Sequence, residues 1–321
     1  MSDLTCASAA VCWGLGRENG TTVFGTFRGG AWTSLGTPAA GDEVAGLACP
    51  SPTACWVVGG TAAINNDANN QQPLIASYGA GAWSRTVLPA VSGGGTLAAI
   101  VCPDATQCWA VGNADLLGAL IYEYVGGNWI KVTVPSQLDG AAALLSVGCS
   151  GSDACWAVGY DGHPVILHLA HESVTASVTS SIGQAGGSFQ GVACQGTDDC
   201  WAVGVSGGQA LAAQYTVGAW SAATSSLSSG GVSATSILDG IACTAADCWA
   251  VGSTTTGSGV SMPLLEHVTG SSWALTTSPT VSGGSELGWV TCGGVDQCWA
   301  GGGGDFSSTG YPTSGILDTD T

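Results

Sequence analysis

Apolar residues along this chain fall in short runs that recur in the same order. Gly, Ser, Thr and Asn separate the runs, which is the spacing of short β-strands. No stretch reaches the roughly 18 uninterrupted apolar residues that a membrane-spanning helix needs. The pattern therefore predicts an all-β protein without membrane insertion.

Each repeated unit contains four strand signals. The first is an aliphatic pair followed by Cys, as in LAAIVC, the second is CWAVG or a variant, and the third is an apolar run such as LIYEY. The fourth begins with a Trp, and in the fourth unit Val174 takes that place. The tryptophans at this position are Trp32, Trp83, Trp129, Trp220 and Trp273. Four short antiparallel strands per unit are typical of propeller blades.

Seven such units predict a seven-bladed β-propeller that forms a single domain over residues 1–321. The predicted blades are 1–42, 43–95, 96–142, 143–187, 188–235, 236–285 and 286–321. In the last unit GILDT is the expected third strand, so this blade is expected to have three strands.

The 14 cysteines form seven repeat-matched pairs, with no odd thiol left over. The pairs are Cys6 with Cys12, Cys49 with Cys55, Cys102 with Cys108, Cys149 with Cys155, Cys194 with Cys200, Cys243 with Cys248, and Cys292 with Cys298. Their spacing differs from the C-x2-C of zinc sites, so we interpret each pair as a disulfide across one hairpin. Disulfides indicate an oxidising, extracellular or cell-surface location. The start MSDLTCASAA lacks the features of a signal peptide, which favours a mature or trimmed product or a part of a longer precursor.

The net charge is −18, from 22 acidic residues against four Lys and Arg. Such a surface repels phosphate backbones, so nucleic-acid binding is not expected. The acidity is explained by solubility or by adaptation to an acidic or saline exterior.

The order L-x-x-V-x-C, C-W-A-V-G, apolar strand and G-G-x-W resembles the Asp-box (BNR-like) propeller repeats. Photosystem II assembly factor-like and sortilin-type propellers belong to that group, and a secreted bacterial C-W-A-V-G variant is similar. The resemblance implies a propeller scaffold. The Asp of the Asp-box turn is missing from turns such as YVGGNW, and the few arginines do not supply the cluster that sialidases of the group need.

Two groups of side chains are candidates for chemical sites. His163, His168 and His171 lie close in sequence, but His168 aligns with polar positions of other units, which favours a structural role. Loops expected on one face of the ring carry Asp42, Glu43, Asp67, Asp115, Asp139, Asp161 and Glu286. We interpret these acids as solvated, and leave open a calcium or catalytic role.

Two single residues are candidates for recognition. Trp289 has no counterpart in the repeat and is the best candidate for a ligand-facing aromatic residue, with packing as the alternative. Asn19 begins the glycosylation sequon Asn-Gly-Thr. No catalytic, cofactor-binding or metal-binding residues are predicted.

The sequence thus predicts a non-catalytic extracellular structural or interaction protein. Its partner is expected to be a protein or a second copy, bound through the C-terminal segment 305–321, and self-association would give a polymer or surface layer. The alternatives are a carbohydrate-binding lectin and an enzyme with an acidic site on the loop face.

Overall fold

The computed structural model describes most of the chain. The described residues are 3–8, 11–18, 21–28, 31–38, 41–62, 70–114, 118–135, 138, 142–171, 173–178, 182–223, 225, 235–255, 257, 259–278, 284–294, 297–306 and 312–320. Asn19, Asp67, Asp115 and Asp139 lie outside these ranges. No helix in the described part of the chain is long and apolar enough to cross a membrane.

Seven antiparallel sheets follow one another along the chain, six with four strands and the last with three among the described residues. The first strands are β1 (Asp3–Ser8), β5 (Glu43–Ser51), β9 (Thr96–Val101), β13 (Ala143–Gly151), β17 (Ser188–Gly196), β21 (Thr235–Cys243) and β25 (Ser285–Gly294). The second strands are β2 (Val11–Glu18), β6 (Ala54–Gly60), β10 (Cys108–Ala114), β14 (Ala154–Tyr160), β18 (Asp199–Ser206), β22 (Cys248–Thr255) and β26 (Gln297–Phe306).

The outer half of each sheet is built from the remaining strands. The third strands are β3 (Thr21–Arg28), β7 (Pro73–Gly79), β11 (Gly118–Val125), β15 (Pro164–Ala170), β19 (Gln209–Thr216), β23 (Ser261–Thr269) and β27 (Pro312–Asp320). The fourth strands are β4 (Ala31–Ser34), β8 (Ala82–Thr86), β12 (Asn128–Lys131), β16 (Ser173–Val178), β20 (Ala219–Ala223) and β24 (Ser272–Thr276). The predicted propeller is confirmed, and the third strand of the last blade is longer than GILDT.

The ring closes through its first strands. Each first strand contacts the first strand of the next blade, and β1 contacts both β5 and β25. Every sheet consists of strands that are consecutive in sequence, so blades one and seven do not exchange strands among the described residues. Packing between innermost strands therefore joins the two ends of the described chain.

All seven predicted disulfides are present, each within one blade, and no cysteine is free. In chain order they join Cys6 to Cys12, Cys49 to Cys55, Cys102 to Cys108, Cys149 to Cys155, Cys194 to Cys200, Cys243 to Cys248, and Cys292 to Cys298. In blade four Cys149 and Cys155 are direct register partners on β13 and β14. Each bridge thus fixes the turn between the first and second strands of a blade. Their number indicates an oxidising environment outside the cytoplasm.

Replacing Cys149 and Cys155 together by serine should lower the free energy of unfolding by about 2 kcal/mol, because the bridge closes a short loop in the unfolded chain. Denaturant unfolding at equilibrium measures the loss. The disulfide between Cys102 and Cys108 in blade three closes a loop of equal length. Replacing these two cysteines by serine should therefore lower the free energy of unfolding by the same amount. A much larger loss at one site would show that the cysteines there act through packing.

Aromatic residues join neighbouring blades as the repeat predicts. In blades two, four and five the Trp after the second Cys contacts the Trp of the next blade's fourth strand, with ring centroids 5.3 Å apart for Trp56 and Trp129. Trp156 with Trp220 and Trp201 with Trp273 repeat this edge-on contact at the same distance. Six buried apolar clusters of this kind join blades one to seven in succession.

The glycine of C-W-A-V-G is required by close approach of the first strand. In six blades a Cβ at this glycine would overlap a backbone carbonyl oxygen of the first strand. At Gly159 that oxygen belongs to Ala143. The affected glycines are Gly59, Gly112, Gly159, Gly204, Gly252 and Gly302. The repeated glycine therefore reflects backbone packing.

Candidate functional site

A β-bulge in the first strand shapes the centre of the ring. In blades two to seven the pairing of the first and second strands shifts at one residue, four positions before the first Cys. The bulged residues are Ala45, Ala98, Leu145, Gln190, Asp239 and Gly288, and all of them line the central channel. A bulge re-aims a side chain, so this position sets the chemistry of the channel wall.

The channel has a volume of about 480 Å³ and is lined by the first strands of all seven blades. Most lining residues are small or aliphatic. Asp3 and Asp239 are its charged residues among those described, and Ser146 and Gln190 add polar groups. The channel is therefore an acidic cavity without a lining cation in the described part of the chain.

Asp3 links blade one to blade two. Its Oδ1 accepts a hydrogen bond from the Leu4 N–H and its Oδ2 accepts one from the Leu47 N–H, both at 2.8 Å. Burial raises the pKa of Asp3 to about 7, although both hydrogen bonds favour the charged form. Ser146 makes the equivalent link in blade four, where its Oγ accepts from the Val192 N–H at 3.3 Å.

Asp239 is the second channel carboxyl group. Burial, followed by the charge of Glu286, raises its pKa to about 6. Both channel acids thus hold their protons at higher pH than carboxyl groups in water do. Among the described loop acids, Glu286 lies near enough to Asp239 for its charge to act on this channel residue.

Stability should fall as pH rises from about 4 to about 7. Both carboxyl groups have a raised pKa in the fold compared with their ordinary pKa of 3.8, so the folded state binds more protons than the unfolded chain within this window. We expect the melting temperature, followed by circular dichroism, to increase on acidification through it. Asp3→Ser combined with Asp239→Asn should reduce the change of melting temperature with pH. Serine is chosen at residue 3 because Ser146 makes the equivalent link in blade four. An unchanged slope in the double variant would assign the effect to other acids.

Trp289 both lines the channel and packs within its own blade. Its register partner on β26 is Gly301, where a Cβ would overlap the indole ring. Blades two, five and six have the opposite arrangement, in which the pairs are Gly46 with Val58, Gly191 with Val203, and Gly240 with Val251. Packing therefore explains part of the Trp289 position, and its contact with a ligand stays a prediction.

The three neighbouring histidines do not form one site. His168 lies on β15 with its ring 4.6 Å from that of Trp156, and burial lowers its pKa. His171 lies in the following turn, where its Nδ1 is 2.9 Å from Oε1 of the buried Glu123. Among the described residues there is no group of three side chains able to hold a metal ion.

Described loop acids are engaged in local contacts. Asp42 forms an ion pair with Arg85 at 3.1 Å and accepts a hydrogen bond from the Ala62 N–H at 2.7 Å. Glu43 accepts a hydrogen bond from Gln71 Nε2 at 3.4 Å. These contacts hold the carboxylates in place within blade two and its entry loop.

A polar contact that recurs near the disulfides is not among the predictions from the sequence. In blade three Gln107 Nε2 donates to Glu123 Oε1 at 3.0 Å. In blade five Gln214 Nε2 donates to Asp199 Oδ1 at 3.1 Å. The third case joins Asp247 and His267. The signal is a polar residue just before the second Cys together with one on the third strand.

The blade-six link also affects a pKa. His267 Nε2 lies 2.7 Å from Asp247 Oδ2, and the His267 ring stacks on Trp249. Burial acts to raise the pKa of Asp247, but hydrogen bonds from Thr244 and His267 and the charge of His267 lower it overall. Asp247 is thus held as a charged structural partner.

A closed ring of radially arranged antiparallel sheets defines the molecule as a β-propeller. The chain is similar to a solved structure described as YCF48 bound to D1 peptide, with 15% identity, 99% of this chain and 91% of that chain covered, and a TM-score of 0.61. It is also similar to YCF48 from Cyanidioschyzon merolae, with 15% identity, coverage of 90% and 85%, and a TM-score of 0.55.

WD40 propellers are similar as well. The RRP9 WD40 repeats match at 10% identity over 99% of this chain and 93% of that chain, with a TM-score of 0.66. The likeness to photosystem II assembly factor-like propellers is thus confirmed for the fold. No protein-family profile and no curated protein matches the chain.

Proposed function

We propose that this protein is a non-catalytic binding scaffold, secreted or displayed at the cell surface, that holds a polypeptide partner at the acidic central channel. As part of this proposal, we assign the protein to the secreted C-W-A-V-G variant of the Asp-box-like propellers. The observation that carries the proposal is the channel itself, where Asp3 and Asp239 lie among small residues. A partner with an exposed lysine, arginine or amino terminus fits this chemistry.

Two further observations support a scaffold role. Seven disulfides brace the turns next to the channel, so the binding geometry is rigid before a partner arrives. The structure described as YCF48 bound to D1 peptide is a propeller of similar fold with a peptide ligand. A propeller ring is therefore a workable support for peptide recognition.

Fluorescence anisotropy with a labelled lysine-rich peptide tests the proposal. We expect binding to the native protein, and an affinity at least about tenfold weaker for Asp3→Ser combined with Asp239→Asn. The glutamine counterpart of the peptide should not bind. Asp153→Asn combined with Asp198→Asn removes the same charge from exposed sites and should leave affinity unchanged. Equal loss in both double variants would reject the channel as the site.

Two outcomes would replace the proposal with one of the alternatives. Binding on a glycan array that is lost with Trp289→Ala would indicate a lectin. Hydrolysis of a glycan that is lost with Asp239→Asn or Glu286→Gln would indicate an enzyme, because glycoside hydrolysis uses a pair of carboxyl groups that lie close together.

A further inference from the structure

The innermost strand of blade six presents a backbone donor to the channel. β21 pairs with β22 alone, so its other edge faces the centre of the ring. Cys243 and Cys248 are register partners with Cα atoms 4.0 Å apart, a short distance typical of antiparallel pairs that exchange no hydrogen bonds. Ile241 lies two positions before Cys243 in the same register, so its N–H and C=O groups also point away from β22. The Ile241 N–H therefore faces the channel, which Ile241 lines.

Two other blades show what an N–H group at this position binds. Leu47, Val192 and Ile241 each lie two positions before the first Cys of their blades. The Leu47 N–H donates to Oδ2 of Asp3 at 2.8 Å, and the Val192 N–H donates to Oγ of Ser146 at 3.3 Å. In both cases the acceptor is a side-chain oxygen of the preceding blade. The position is thus suited to an oxygen acceptor.

Blade six lacks such an internal acceptor. The residue that corresponds to Ser146 is Gly191, since both pair with the Val of C-W-A-V-G in their own blades. A Cβ at Gly191 would lie 3.2 Å from the backbone nitrogen of Ile241, so a side chain at residue 191 would reach this N–H group. Glycine supplies no oxygen, and the Ile241 N–H is therefore available to an oxygen of a ligand in the channel.

A carboxyl group lies close to this donor. Asp239 is the bulged residue of β21, two positions before Ile241, and both residues line the channel. Residues two apart on a strand are separated by about 7 Å or less. A ligand that meets both groups must therefore carry its positive charge and its oxygen acceptor within one residue. The amino terminus of a polypeptide has this arrangement, whereas a four-carbon stem separates the ammonium group of lysine from the main chain.

We propose that the channel takes the amino terminus of its polypeptide partner, a refinement that rests on the proposed function. The ammonium group pairs with Asp239, and the carbonyl oxygen of the first residue accepts a hydrogen bond from the Ile241 N–H. Burial and the charge of Glu286 raise the pKa of Asp239 to about 6, so this carboxyl group is ionised near pH 7. A peptide amino terminus is still largely protonated at that pH.

Fluorescence anisotropy near pH 7, with short glycine peptides labelled at the carboxyl end, tests the refinement on the native protein. We expect a peptide with a free amino terminus to bind at least about tenfold more tightly than its acetylated form. It should exceed an acetylated peptide with one lysine by a similar factor, although the two carry the same charge. The lysine-rich peptide and its glutamine counterpart are compared with acetylated amino termini, so that comparison measures side-chain charge alone.

The peptide results separate the two proposals. Equal affinities for the free amino terminus and the acetylated lysine peptide overturn the amino-terminal assignment and leave the proposed function standing. Absence of binding by every one of these peptides overturns both.

Gly191→Ser and Gly191→Ala are a matched pair in the protein. Both add the same Cβ, but only serine supplies an oxygen that can accept from the Ile241 N–H, as Ser146 accepts from Val192. Gly191→Ser should therefore bind the free amino terminus about tenfold more weakly than Gly191→Ala. Circular dichroism checks that both variants are folded. Equal affinities in two folded variants overturn the role of the Ile241 N–H, and if either variant fails to fold, the peptide comparison on the native protein decides.

Discussion

Gly159→Ala is expected to destabilise the protein by about 3 kcal/mol. A Cβ at this position would overlap the carbonyl group of Ala143 on the neighbouring strand. The obstacle is backbone next to a bulge, so relief requires β13 to move away from β14. Denaturant unfolding at equilibrium measures the cost.

Gly151→Ala is the matched control in the same blade. A Cβ at Gly151 meets nothing within 4 Å, and its backbone does not have a positive φ. We expect a change within about 0.5 kcal/mol. Equal losses of unfolding free energy at Gly159 and Gly151 would show that the first strand shifts at little cost. Another property of the repeat would then have to explain the glycine at position 159.

Trp289 and Gly301 are expected to be energetically coupled by about 2 kcal/mol. Gly301→Val alone should cost about 3 kcal/mol, because the valine overlaps the indole ring. Trp289→Gly alone should cost a similar amount, since it leaves a cavity. The double variant has the Gly and Val arrangement of Gly191 and Val203 in blade five, so it should be more stable than the two single losses predict.

A double-mutant cycle from unfolding free energies measures this coupling. Gly301→Val combined with Gly151→Ala should be additive, because Gly151 lies in another blade. Additivity of the Trp289 and Gly301 changes would mean that the indole ring lies elsewhere, and would strengthen the case for Trp289 as a ligand contact.

The sequence by itself determined the repeat architecture and the disulfide pairing. Both are local: the two cysteines of a hairpin are five or six positions apart, and each blade is built from consecutive strands. The hydrophobic period, the turn glycines and the tryptophan positions therefore specify a blade without knowledge of its neighbours. Seven copies then specify a ring, since each blade buries its faces only against the next.

Only the tertiary structure decided the channel. Asp3 and Asp239 are far apart in sequence, and they line one cavity because blades one and six belong to a closed ring. Bulges in the first strands aim residues such as Asp239 inward, and the alternation of apolar positions does not reveal them. The Asp3 link to Leu47 and the fit of Trp289 over Gly301 likewise depend on distances between strands, which a one-dimensional pattern does not contain.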